Sequence, residues 1–387
     1  MRRRAYLDWN ATAPLRPQAR AALEAHWDVA GNPSSVHAEG RAARALVEDA
    51  RHALAQAVGG DARDVIFTSG GTEANVLALT PGLMRKGSGR AERLIVSAIE
   101  HVSVLAGGRF EKADTTIAPV DRNGVLDLTA LREQVHGKPP ALVSVMLANN
   151  ETGAIQPIAE VADIVHDAGG LLHVDAVQAL GKIPVAMREL KADLLSVSAH
   201  KVGGPKGVGA LVVADGLFGL DPAIRGGGQE RGRRAGTENV SGIAAFGAAV
   251  TAATTALGEE SAAMVILRER LEAGLKRHPG VVVFSEQVPR LPNTTLFSAP
   301  GLKAETAVIG FDLEGVAISS GSACSSGKVQ PSHVLAAMGV APELTQGALR
   351  LSLGWQTQVA DIDHCLEAWR KLTGVLGRGH ETGLERF

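Results

Sequence analysis

Between about residue 60 and residue 215, short aliphatic and β-branched runs alternate with stretches whose apolar positions recur at helical spacing. That alternation predicts a mostly parallel sheet with helices on both faces. The strand candidates are Val65–Thr68, Leu94–Ala98, Leu142–Leu147, Leu172–Val174, Leu194–Ser198 and Ala210–Val213. Near-continuous apolar character, as in Val143–Leu147, suits strands buried on both faces. Ahead of them Val47, Ala50, Leu54 and Ala57 recur at helical spacing among Arg44, Glu48, Arg51 and Gln56, an amphipathic helix. Beyond about residue 260 the texture changes. A charged helix, Met264 to Arg277, precedes strand candidates at Val281–Phe284, Thr294–Phe297, Gly315–Ser319 and Leu349–Leu353, which predicts a second, α+β domain. With no internal repeat and no low-complexity linker between them, the two domains are expected to share a substantial interface.

Composition narrows the class. The chain has 387 residues and 45% hydrophobic content, enough for two packed cores, so disorder is a poor reading. Lys+Arg 39 against Asp+Glu 41 leaves a net charge of -2 and no global field for nucleic acid or an anionic membrane, which points to small-molecule partners. The two cysteines, Cys324 and Cys365, exclude a disulfide framework and fit a reducing compartment, the cytoplasm. The opening MRRRAYLDWN develops no apolar run and does not read as a signal peptide. Val240 to Gly258 is uncharged and nearly as long as a membrane span. It is rich in Ala, Gly, Ser and Thr, so a buried helix of a soluble protein is expected.

Ligands of such sheets bind beyond the carboxyl ends of the strands, and the candidate chemistry lies there. In DLLSVSAHKVGGPKG, Lys201 follows a strand end, where a desolvated amine can form a Schiff base with an aldehyde, pyridoxal phosphate above all. A solvated loop lysine is the plain alternative. In LLHVDAVQA, Asp175 ends an apolar strand and needs a cation, such as a protonated pyridine nitrogen, unless it caps a helix. VIFTSGGTEANVLAL reads strand, turn, helix, so Gly70, Gly71 and Thr72 offer backbone N–H groups to a phosphate, without a Walker pattern. His101 begins a helix after a strand and could stack on a flat ring. Asn149 and Asn150 end a strand and serve either a cofactor or substrate or a turn. Cys324, in the Gly- and Ser-rich SSGSACSSGKVQPSH, is expected on a mobile loop as a nucleophile. Cys365 falls on a helical pattern with Leu366 and Trp369 and is expected in a core. Arg350, in the alternating ALRLSLGW, would bind a substrate carboxylate if it points inward and would be a surface residue if it does not.

Together these segments resemble the cysteine desulfurases of the NifS/IscS type, fold-type I pyridoxal-phosphate enzymes related to class V aminotransferases. The resemblance runs through YLDWNATAP, GNPSSVH, SGGTEAN, EHVSV, NNETG, HVDAVQA, SAHKVGGPKG, RAGTEN, SSGSAC and LRLSLG. It implies an α/β large domain over residues 15–258, built on a mostly parallel seven-stranded sheet flanked by helices. A smaller domain is implied over 1–14 and 259–387. It further implies pyridoxal 5′-phosphate held by Lys201 as Schiff-base lysine, with His101 stacked on the ring, Asp175 at its nitrogen and Gln178 near its phenolic oxygen. Phosphate would meet Gly71, Thr72, Ser198 and His200, and Thr237 of a second subunit, hence an obligate homodimer. Asn150 would contact both cofactor and substrate, Arg350 would hold the carboxylate of L-cysteine, and Cys324 would take the sulfur as a persulfide. An acceptor protein such as an iron–sulfur scaffold is implied, with Cys324 as a transient iron–sulfur ligand through it. The family pattern is broken where Trp9 replaces an Asn and Gly71 replaces the Ala of SGATE. Two other readings stay open: a related class V enzyme such as a selenocysteine lyase, which would not need Cys324, and a non-catalytic sulfur-carrier scaffold.

Overall fold

The computed structural model describes residues 4–86, 89–321 and 331–381. Its centre is a seven-stranded sheet in the order Val65–Thr68, Gly209–Val213, Leu194–Ser198, Leu171–Asp175, Ala141–Met146, Arg93–Ser97, Thr115–Ala118. All neighbours are parallel except Gly209–Val213, which runs antiparallel to the strands on both sides. The connection explains it. A parallel return needs a crossover of a dozen or more residues, whereas the chain turns back directly after the short helical turn Ala199–Lys201. Six of the strands coincide with the apolar runs to within a residue or two. The seventh, Thr115–Ala118, lies at the sheet edge with Thr116 and Ile117 exposed, so its polar outer face hid it from a search for buried strands.

The uncharged stretch forms the helix Val240–Thr255, which packs against Ala38–Val58 and Pro17–His26 in the largest core. Its small residues allow unusually close approach: a Cβ on Gly247 would lie 2.8 Å from the Cα of Ala50. Among the described residues no single helix is long and apolar enough to cross a bilayer; this helix and Leu257–Leu275 meet at a 70° bend.

A second sheet of four antiparallel strands, ordered Val282–Val283, Thr294–Ser298, Leu349–Ser352, Ser319–Ser320, has its own core around Phe297, Phe311 and Trp369. The helices Leu257–Leu275, Ala304–Leu313 and Val359–Glu381 contribute to that core. The expected strand Gly315–Ser319 is divided. Val316–Ala317 pairs in parallel with Ala5–Tyr6, and Ser319–Ser320 joins Leu349–Ser352. Residues 5–16 thus begin against the smaller core, which buries Ala5 and Leu7, and end on the larger unit, where Ala13 N–H donates to His200 O at 2.9 Å and Arg16 N–H to Gly203 O at 2.8 Å.

Candidate active site

A cavity of about 430 Å³ opens at the carboxyl ends of the large sheet, floored by Asp8, Asn10 and Ala11 and closed on one side by the strand carrying Arg350. Of the residues that the sequence puts forward, it brings together Gly71, Thr72, His101, Asn150, Asp175, Gln178, Ser198, His200, Lys201 and Arg350. Thr237 is exposed and does not line it. Cys324 lies outside the described residues. Cys365 is fully buried in the smaller core, where burial pushes its thiol up to about 12, an inert structural cysteine.

Lys201 closes the turn after Leu194–Ser198, and its Nζ donates to the carbonyls of Asn10 and, at 2.9 Å, Ala11. Burial, with Arg350 adding to it, lowers its pKa to about 8, so roughly a tenth of the amine is neutral and nucleophilic at neutral pH, far more than for an ordinary lysine. Asp175 ends its strand. Its Oδ1 accepts from Val177 N–H at 2.9 Å and its Oδ2 from Asn75 Nδ2 at 2.8 Å. Burial raises its pKa against the pull of these bonds and of His101 and Lys201, so a cation placed beside it would be strongly favoured. His101 caps the short helix Val102–Leu105, with Nδ1 2.8 Å from Ser103 Oγ, which in turn accepts from Asn75 Nδ2 at 3.0 Å. Burial lowers the His101 pKa, which makes the ring a neutral, flat wall. Histidine, serine, asparagine and aspartate thus form one connected polar chain along one side of the cavity.

At another side the helix Gly71–Ala78 points its N-terminus at the cavity, and Ser198 Oγ is buried there without a hydrogen-bond partner. His200 is neutral, its pKa lowered to about 4 by burial and by Lys201. The backbone here is tightly packed: a Cβ on Gly209 would come within 2.5 Å of Gly70 C, so glycine is required for the strand to lie against the turn. Arg350 points inward. Its Nη2 donates to Asp8 Oδ1 at 2.8 Å and its Nη1 to Asn150 O at 3.1 Å, while Nε is buried and unpartnered. The two asparagines separate. Asn150 lines the cavity, whereas Asn149 is consumed by a turn, donating to Ile99 O and accepting from Glu151 and Thr152 N–H.

Sequence reasoning missed Asp8, Asn10 and Asn75. Asp8 and Asn10 alternate with Leu7, Trp9 and Ala11 in a short segment that shows neither a helical run nor a sheet strand of its own. Asn75 offered a usable signal, since asparagine is a poor residue for a helix interior unless its amide has a tertiary partner.

A model of the aminotransferase class-V family matches residues 5–365. The chain belongs to that family, and its cofactor is pyridoxal 5′-phosphate. Among curated proteins it is 45% identical to the cysteine desulfurase of Cereibacter sphaeroides over 372 residues, 94% of each chain. It is 41% identical to the cysteine desulfurase IscS of Dictyoglomus turgidum, covering 96% of this chain and 95% of that one. Among solved structures, a NifS-like protein from Rickettsia africae superposes with a TM-score of 0.87 at 37% identity, over 96% of this chain and 99% of that one. The residues present fit the cofactor. A helix N-terminus with the orphaned Ser198 hydroxyl suits its phosphate, a buried carboxylate suits its ring nitrogen, and a partly deprotonated lysine suits its aldehyde.

Proposed function

We propose that this chain is a cysteine desulfurase, which takes the sulfur of L-cysteine and releases L-alanine. The observation that carries the reading is the placing of Lys201, Asp175 and Arg350 around one cavity: an amine near its pKa, a carboxylate in want of a cation, and an inward guanidinium with a free Nε. The names of the relatives support the choice of substrate.

Pyridoxal phosphate, when bound, supplies an aldehyde for the amine and an electron sink for charge left at the substrate α-carbon. Lys201 would hold it through its amine, and the same Nζ would carry the substrate α-proton. Asp175 would keep the ring nitrogen protonated, His101 would cover the ring face, and Gln178 would donate to the phenolic oxygen. Gly71, Thr72, Ser198 and His200 would hold the phosphate, completed by Thr237 of a second copy, which makes the proposed active form a homodimer. Arg350, with Asn150, binds the substrate carboxylate and orients the α-carbon over Lys201. The Cys324 thiolate attacks the substrate sulfur. The C–S bond breaks with its electron pair left on the β-carbon, a persulfide forms on Cys324, and protonation of the β-carbon, with return of the α-proton by Lys201, gives alanine. A protein acceptor, such as an iron–sulfur scaffold in the cytoplasm, then takes the persulfide sulfur, with Cys324 as transient ligand. The same reading divides the chain into a large domain, 15–258, and a small one, 1–14 with 259–387.

The test is to incubate the purified holoenzyme with L-cysteine and a reductant and to quantify sulfide and alanine. Wild type is expected to yield them in equal amounts, and Lys201→Ala and Cys324→Ala to yield neither. Full activity in Cys324→Ala would move the reading to a lyase such as one acting on selenocysteine.

A further inference from the structure

Lys182 is a buried amine that the mechanism above does not use. It is 7% exposed, and among the described residues no carboxylate lies within ion-pair reach. Its two hydrogen bonds both go to one residue: Nζ donates to Gln178 O at 3.0 Å and to Gln178 Oε1 at 2.8 Å. Burial, aided by Lys201 and Arg350 nearby, lowers its pKa well below the ordinary lysine value. An apolar side chain of similar length would fill the space without the desolvation penalty, so the use of the amine lies in the bonds that it makes.

Those bonds settle which way the Gln178 amide faces. A glutamine amide presents either oxygen or nitrogen to a neighbour, and only its NH2 can donate to the phenolic oxygen of the cofactor. Gln178 Nε2 donates one N–H to Asn10 O at 3.0 Å, while Oε1 is engaged by Lys182. The second N–H is the group left for the cavity. We propose that Lys182 is a positioning residue for cofactor binding: by donating to Gln178 Oε1 it locks the amide with its N–H toward the ring oxygen. The inference rests on the placing of Gln178 proposed above.

The readout is the pH titration of the visible absorption of the bound cofactor. An N–H donated to the ring oxygen draws off negative charge and makes the neighbouring Lys201–cofactor linkage less basic. Losing it makes that linkage hold its proton to higher pH. Gln178→Leu and Lys182→Met are each expected to raise the midpoint by about one pH unit, the effect of one hydrogen bond to a charged group. The double variant is expected to match Gln178→Leu alone, because both changes remove the same bond. Additive shifts would mean that Lys182 acts by its charge and would overturn the inference. So would a shift in Gln178→Leu without one in Lys182→Met. No shift in Gln178→Leu would instead sink the placing of Gln178, and the inference with it. Far-ultraviolet circular dichroism checks that Lys182→Met folds, and Lys182→Leu offers a second apolar replacement.

Discussion

Glu100 shows how much a single buried carboxyl can couple this fold to pH. Its Oε1 accepts from Ser97 Oγ at 2.5 Å and Met146 N–H at 2.8 Å, and Oε2 has no partner. Burial, with the Asp175 charge adding to it, pushes its pKa up to about 8. Because the folded value is raised, the native state keeps a proton that the unfolded chain releases above about 4.5. The associated stability is complete below that pH and is lost as pH rises through 8. Glu100→Gln keeps the accepting oxygen and cannot ionise. Its urea midpoint is therefore expected to gain on wild type steadily from pH 5 to pH 8, by about 1.4 kcal/mol per pH unit at most. A constant difference would mean that Glu100 is ionised in the native state. His173, between Ser144 Oγ and Ser196 Oγ at 2.8 Å each, works in the opposite sense at lower pH. Its pKa is lowered to about 3 by burial, and it costs stability as pH falls from about 6.5. At this scale the sequence exposed Asp175, whose charge ends an apolar run, Lys201, which follows a strand end, and Arg350, inside an alternating strand, because a charge in such a place needs a reason. It hid Asp8, Asn75 and Lys182, of which the first two take their partners from distant segments.

The helix Val240–Thr255 carries a lesson about small residues. Composition predicted its burial correctly, but not that Gly247 touches the backbone of Ala50. Helix propensity alone favours alanine over glycine by about 1 kcal/mol. The contact reverses the sign: Gly247→Ala is expected to cost about 1–3 kcal/mol, by prising the two helices apart. Gly258, in the next helix, has nothing within 4 Å of its would-be Cβ, and Gly258→Ala is expected to stabilise by up to about 1 kcal/mol. Denaturant midpoints of the two variants measure both effects, and equal shifts would refute the packing argument. Elements with uniform surroundings were the legible ones. Strands buried on both faces, such as Leu194–Ser198, announce themselves. An edge strand such as Thr115–Ala118, and the parallel pairing of Ala5–Tyr6 with Val316–Ala317, depend on partners that no local pattern names.

Across the whole molecule Arg16 ties four segments together. Its guanidinium lies 3.9 Å above the Trp355 ring, donates to both Glu260 oxygens at 2.8 and 2.6 Å, and through Nε to Val202 O, next to Lys201. Arg16→Ala leaves Glu260 without its buried partner and is expected to cost about 3–5 kcal/mol. A lowered melting temperature and faster cofactor loss on dialysis check this together; a stable variant that keeps its cofactor would show the tie to be idle. The same region sets the order of events in biosynthesis. Asn10 and Ala11 shape the floor beneath Lys201, yet the strand just before them pairs with Val316–Ala317, and Asp8 with Ser352. A ribosome therefore releases the first-made part of the floor long before the strands that hold it exist. The large sheet can assemble early, but the crevice for the cofactor is completed only when nearly all of the chain has been translated.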